Sequence, residues 1–148
     1  MTDPRALHDR NTIHELRHRY GRALDQRDWA LFASLFADEV DADFAAFGVP
    51  AARLPRVAVV ELMQHGFRRP EMRSHQVYAN LEIAIDRDTA TCLSSLVGRH
   101  YLPGFAGGEY FTLHARYHDR LIRTATGWAI SAVRLEVLFT EGSLAIVS

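Results

Sequence analysis

The stretch Asn11–Val40, NTIHELRHRYGRALDQRDWALFASLFADEV, decides how the first half of the chain folds. Ile13, Leu16, Tyr20 and Leu24 recur at the spacing of one buried helical stripe. Thr12 with Glu15 three residues on predicts a capping box that starts the helix there. Asp28 then reads as the N-cap of a second helix carrying Trp29, Phe32, Leu35 and Phe36 on one face. This leaves Asp25 near the C-terminal end of the first helix, where the macrodipole disfavours a negative charge. Such an acid is either a solvated helix end or a group with a task.

Downstream, Val40, Ala42, Phe44 and Ala46 alternate with Asp41 and Asp43 as a half-buried strand, and Arg56–His65 reads as a third helix stopped by Gly66. From Arg73 the period changes to two. His75, Val77, Ala79, Leu81, Ile83 and Ile85 form one predicted strand face, and Arg87-Asp88 the turn. Ala90, Cys92, Ser94, Leu96, Gly98 and His100 share one parity of the next strand, Thr89 to Leu102. A two-residue turn sets Ile85 opposite Ala90 and His75 opposite His100. The small residues of that parity, facing inward, leave room for a cavity. Strands over Tyr110–Arg123 and Trp128–Phe139 complete the chain. Helices first and hairpin-linked strands after are an α+β pattern, with residues 1–148 as one domain.

Composition narrows the chemistry. The chain has 148 residues and a formal net charge of −1, which argues against nucleic acid or an anionic membrane as partner. No apolar run has the length of a membrane span, and the polar first ten residues are unlike a signal peptide. The one cysteine, Cys92, allows no internal disulfide, and together these features point to the cytoplasm. All 17 basic residues are arginine, so chemistry on a lysine amine is excluded. Eight histidines direct attention to imidazole.

His14-Glu15-Leu16-Arg17-His18 matches H-E-x-x-H, the zinc-protease signature. Both histidines lie about 120° round the helix from the apolar stripe at 100° per residue, so no metal site is expected. A second constellation is Tyr20, Asp25, His75 and His100. Histidines on an apolar strand face are commonly satisfied core residues. Two facing each other beside small residues suggest a polar-lined pocket, in which a carboxylate on the far nitrogen would make one a better base. Asp25 is therefore expected to contact one of the two.

The runs Y20-GRAL-D25-QR-D28-W29, L35-F36-A37-D38-E39, S74-H75-Q76-V77-Y78-A79-N80 and R123-TAT-G127-W128 resemble the SnoaL-like, NTF2-like superfamily. The similar branch contains scytalone dehydratase, a bile-acid dehydratase and the lindane dehydrochlorinase. The resemblance covers about Asn11 to Phe139. It implies a cone: a curved, mixed, mostly antiparallel sheet wrapped on three N-terminal helices around an internal pocket. It also implies that Asp25 and His75 form the catalytic dyad, that His100 is a second catalytic histidine, and that Tyr20 is a pocket tyrosine. Leu24 and Phe44 stand where scytalone dehydratase has tyrosines and Tyr117 where it has an asparagine, so scytalone is not the expected substrate. Phe44, Trp29, Leu96 and Tyr117 are the expected substrate-binding residues.

These expectations define a cofactor-independent, dehydratase-type lyase in which the dyad takes a proton from a small hydrophobic cyclic or polyketide-like substrate. The alternatives are a polyketide cyclase or isomerase using the same pocket, and a non-catalytic small-molecule-binding protein. A homodimer or homotrimer formed through the outer face of the sheet is also expected.

Overall fold

An Asp-Pro pair starts the first helix, because Pro fits a first helical position whose N–H needs no partner. The computed structural model describes residues 3–148. Asp3 caps α1 (Pro4–Gln26), accepting a hydrogen bond from the Arg5 N–H at 3.0 Å. The start at Thr12 is thus corrected. Thr12 lies inside the helix and donates to the His8 carbonyl, while Glu15 pairs with Arg19 at 3.5 Å. The added turns bring Asp9 under the sheet, where Arg123 binds both its carboxylate oxygens at 2.7 and 2.8 Å and Trp128 Nε1 donates to it at 3.0 Å. Arg27 ends α1 in the left-handed conformation, φ 53°.

Asp28 caps α2 (Trp29–Ser34) as the sequence indicates, accepting from the Leu31 N–H at 3.0 Å, but the helix is shorter than expected: Leu35 closes it and Phe36 already belongs to a strand. Next come β1 (Phe36–Phe44), β2 (Val49–Pro55), α3 (Arg56–Gly66), β3 (Arg73–Asp86), β4 (Thr89–Tyr101), β5 (Tyr110–Thr124) and β6 (Gly127–Gly142). The strands form one curved, unclosed sheet in the order β2-β1-β6-β5-β4-β3. The β1–β6 pair is parallel and the others are antiparallel. Helix α1 packs along β3. Tyr20, Phe32 and Phe36 meet between helices and sheet, with ring centroids 4.8 Å (Tyr20–Phe32) and 5.0 Å (Phe32–Phe36) apart in edge-on packing. Such pairs add about 0.5–1.5 kcal/mol each beyond their burial. No helix among the described residues is long and apolar enough to cross a membrane.

The β3–β4 hairpin differs from its expected register at one place. Ile85 does face Ala90 across the turn at Arg87-Asp88. Farther along, Asn80 and Leu81 together oppose Ser94, because Ala79 pairs with Ser95 and Glu82 with Leu93. This bulge, with Asn80 at φ 53°, shifts the pairing by one residue and reverses which side chains face inward. Ser74 therefore lies opposite His100, and His75 lies opposite Arg99. Beyond the bulge the expected parity holds, with Ile83 buried; before it Ser74, Gln76 and Tyr78 turn toward α1, while His75 and Val77 are exposed.

Candidate active site

Asp25 sits in the last turn of α1, half-buried against β3. Its Oδ1 accepts from Ser74 Oγ at 3.0 Å, and the Gln76 backbone N–H donates to Oδ1 at 3.1 Å and Oδ2 at 3.0 Å. These donors offset the unfavourable helix-end location. Desolvation outweighs them and raises the Asp25 pKa above the ordinary aspartate value.

The Gln76 side chain extends across the sheet to His100, with the two Nε2 atoms 3.2 Å apart. At that contact the amide N–H donates to the ring, which leaves the proton of the neutral imidazole on Nδ1. Burial pushes the His100 pKa down to about 4, so the ring is uncharged at neutral pH. Among the described residues its Nδ1 has no partner of full hydrogen-bond geometry, although the Phe111 backbone beside the ring opposes part of that fall. The Phe67 and Phe111 rings flank His100 at 5.5 and 5.7 Å, and Trp29 packs on Phe67 at 6.4 Å. One edge of the site is thus polar and the other aromatic.

Deeper in, Arg17 is fully buried. Its Nη2 lies 2.9 Å from both carboxylate oxygens of Asp119. The guanidinium carbon stands 4.2, 4.7 and 4.2 Å from the ring centroids of Tyr20, Tyr78 and Tyr117. Burial raises the Asp119 carboxyl and the tyrosine hydroxyls against the pull of Arg17. Among the described residues, Arg17 Nε and Nη1, the Tyr78 hydroxyl and Ser94 Oγ are buried without a hydrogen-bond partner, while the Tyr20 hydroxyl lies within reach of Tyr117 and Arg17. An unsatisfied buried polar group costs roughly 1–3 kcal/mol.

Of the expected residues, the structure brings Asp25 and His100 to one place, joined through Gln76, and adds Trp29 through the Phe67 ring. Tyr20 and Tyr117 belong to the Arg17 cluster, with Leu96 buried opposite Tyr78. Phe44 is buried at the end of β1. His75 is the correction. It lies on the exposed outer face of β3 and makes no hydrogen bond to Asp25, because the bulge turned the strand over. Gln76 occupies the inward place expected of His75. The room expected beside Cys92, Ser94 and Gly98 is also filled, by Arg17, the tyrosine rings and the Gln76 amide. Concavities of about 860 and 650 Å³ open instead on the outer face, lined by residues such as Asp41, Ala84, Thr91 and Arg120.

Sequence reasoning missed Ser74, Gln76, Tyr78, Arg17 and Asp119. Arg17 stands four residues after Ile13 and three before Tyr20, which places it on the buried stripe; this was the available signal.

Residues 5–134 match the SnoaL-like domain. No curated protein sequence matches the chain. Among solved structures, the Kfla4162 protein of Kribbella flavida is 26% identical with TM-score 0.85, over 92% of this chain and 95% of its own. A protein of Novosphingobium aromaticivorans described as a candidate scytalone dehydratase is 16% identical with TM-score 0.80, over 93% and 89%. The LinA-type3 hexachlorocyclohexane dehydrochlorinase of Novosphingobium barchaimii is 16% identical with TM-score 0.78, over 97% and 95%. At those last two identities the likeness is one of fold.

Proposed function

Since the chain belongs to the SnoaL-like domain family, we propose that it is a cofactor-independent lyase of the dehydratase type, acting on a small, hydrophobic, cyclic β-hydroxy ketone. The observation that carries this reading is the fixed, half-buried carboxylate of Asp25, its pKa raised, one glutamine away from a neutral histidine. The elimination reactions named for two structural neighbours support it.

Of the two candidate bases, Asp25 is the stronger choice. A histidine whose pKa lies near 4 has lost the advantage of imidazole, whereas desolvation makes the carboxylate more basic than usual. In the proposed reaction Asp25 takes the proton from the carbon beside the carbonyl. The C–H electron pair forms the carbon–carbon double bond and the β C–O bond breaks. The proton held on Asp25 then leaves with that oxygen as water, and the carboxylate is regenerated. His100 Nδ1–H donates a hydrogen bond to a substrate oxygen without giving up its proton, and Gln76 fixes its tautomer. Trp29, Phe67 and Phe111 form the apolar wall. The same enolate would serve an isomerase or a cyclase.

The test follows α-proton exchange by proton NMR in D2O over a panel of cyclic ketones and β-hydroxy ketones. Exchange or water release that disappears in Asp25→Asn supports the lyase. Activity that survives the substitution removes Asp25 as base, and a panel that binds without exchange identifies a small-molecule-binding protein.

The outer face is proposed as the surface for a homodimer or homotrimer. Val77 and Val97 pair directly there and are 45% and 43% exposed, and Phe139 is 55% exposed. Light scattering showing a monomer at high protein concentration would count against assembly.

A further inference from the structure

Helix α1 ends at a backbone position that glycine fills most easily. Arg27 has φ 53°, a left-handed turn that strains any residue with a Cβ and that glycine adopts freely. The turn itself uses only the Arg27 N–H, which donates to the Leu24 carbonyl at 3.2 Å. An arginine in that place has a side chain the turn does not need.

That side chain is half-buried and binds three carbonyls. Nη1 donates to the Asp25 carbonyl at 3.3 Å, Nε to Phe67 at 3.4 Å and Nη2 to Met72 at 2.5 Å. The guanidinium carbon also stands 5.9 Å from the centroid of the Phe67 ring. Asp25 lies in the last turn of α1, Phe67 closes α3, and Met72 immediately precedes β3. One cation thus ties the backbone of the proposed base to both ends of the segment 67–72. The first residue of that segment packs its ring on His100, and the strand that follows carries Ser74 and Gln76 to the Asp25 carboxylate. A guanidinium serves three acceptors at once because its N–H donors form a rigid fork; an ammonium on a flexible stem does not.

The charge bears on both ends of the site. Burial is the larger influence at each, raising the Asp25 pKa and lowering that of His100. Arg27 favours the carboxylate at the one and disfavours the imidazolium at the other. The remaining groups facing Asp25 are the Gln76 N–H, the Ser74 hydroxyl and His75; those facing His100 are the Phe111 backbone and the Gln76 amide.

We infer that Arg27 is the positioning residue of this site, its fork holding the Asp25 end of α1 and the Phe67 wall at one fixed separation while its charge faces both Asp25 and His100. The inference rests on the lyase reading for the roles of base and wall, but the positioning itself can be read without turnover.

The test uses NMR on the full chain without a ligand. In the wild type, Arg27→Gly and Arg27→Lys, the carbon-13-labelled Asp25 carboxyl is titrated and the nuclear Overhauser contact between the Phe67 and His100 rings is followed. Arg27→Gly keeps the left-handed turn, so the fold should be retained. Its Asp25 midpoint should move upward, because the charge that lowers it is gone, and the ring contact should be lost. Arg27→Lys keeps the charge without the fork; it should hold the midpoint near its wild-type place and still lose the contact. The inference is overturned if Arg27→Gly leaves the midpoint or the contact unmoved, whatever its melting temperature, or if Arg27→Lys keeps the contact. Exchange of α-protons is measured on the same variants and should fall about tenfold in Arg27→Gly. An undiminished rate there would also overturn the positioning role. A wild type without exchange, with the NMR changes present, would count against the lyase reading alone.

Discussion

Gln76 and Gly98 face each other across β3 and β4, and a Cβ on Gly98 would lie 2.6 Å from Gln76 Oε1. The amide reaches His100 only because its cross-strand partner has no side chain. Gly98→Ala should drive the amide off His100 and lower the α-proton exchange rate about tenfold, in the range of a lost positioning hydrogen bond. Adding Gln76→Ala should recover the melting temperature without recovering the rate. NMR exchange and thermal melts on the two variants check both parts.

Asp25→Asn should reduce exchange by about 10²–10⁴-fold, the usual contribution of a positioned base, with the fold retained. Ser74→Ala acts more subtly. The Ser74 hydroxyl lowers the Asp25 pKa, so removing it raises that pKa. Because the carboxylate is the active form in the proposed reaction, the midpoint at which the rate rises with pH should move upward. A pH–rate profile unmoved by Ser74→Ala would dissociate that hydrogen bond from the base.

His100 makes stability depend on pH in a stated direction. Its folded value is about 4 against an ordinary 6.5, so between those values the unfolded chain binds more protons. Stability should fall as pH drops through this window, by up to the order of 3 kcal/mol. Urea melts at pH 7 and pH 5 should show the loss in the wild type and a smaller one in His100→Asn.

The buried Arg17–Asp119 pair should respond asymmetrically. Asp119→Ala strands the Arg17 charge and should cost about 3–5 kcal/mol. The double variant Arg17→Met, Asp119→Leu should be far less destabilised, since neither charge then remains. Urea denaturation of both variants decides whether the pair is held by mutual need.

The helices, the strand order of the hairpins and the turn at Arg87-Asp88 were legible because periodicity and turn chemistry are local signals. The same signals failed elsewhere: Phe36, read as helix, opens β1, and the proline-flanked stretch after Gly48 is β2; two further failures bear on the site. Asp3-Pro4 was a stronger helix start than Thr12 and Glu15, but only the tertiary partners Arg123 and Trp128 explain why Asp9 belongs inside. In β3 a run of alternating residues conceals a bulge, because two residues against one leave the sequence pattern almost unchanged. Asn80 was the sole clue, as a residue that tolerates positive φ. Family resemblance pointed to Asp25 and His100, which the structure joins through Gln76. It could not supply the pairing that decides between His75 and Gln76.

That bulge makes Asn80–Leu81 the boundary between two reading frames of one strand. Loss of Asn80, with the Arg87-Asp88 turn kept, would remove the extra residue and leave Ala79 opposite Ser95 and Ser74 opposite His100. Only ironing out the bulge with every residue kept, so that Asn80 pairs with Ser95, would bring His75 opposite His100 and turn Ser74, Gln76 and Tyr78 outward. Diethyl pyrocarbonate should therefore modify His75 as fast in an Asn80 deletion variant as in the wild type. One lost codon at the bulge would thus spare the site.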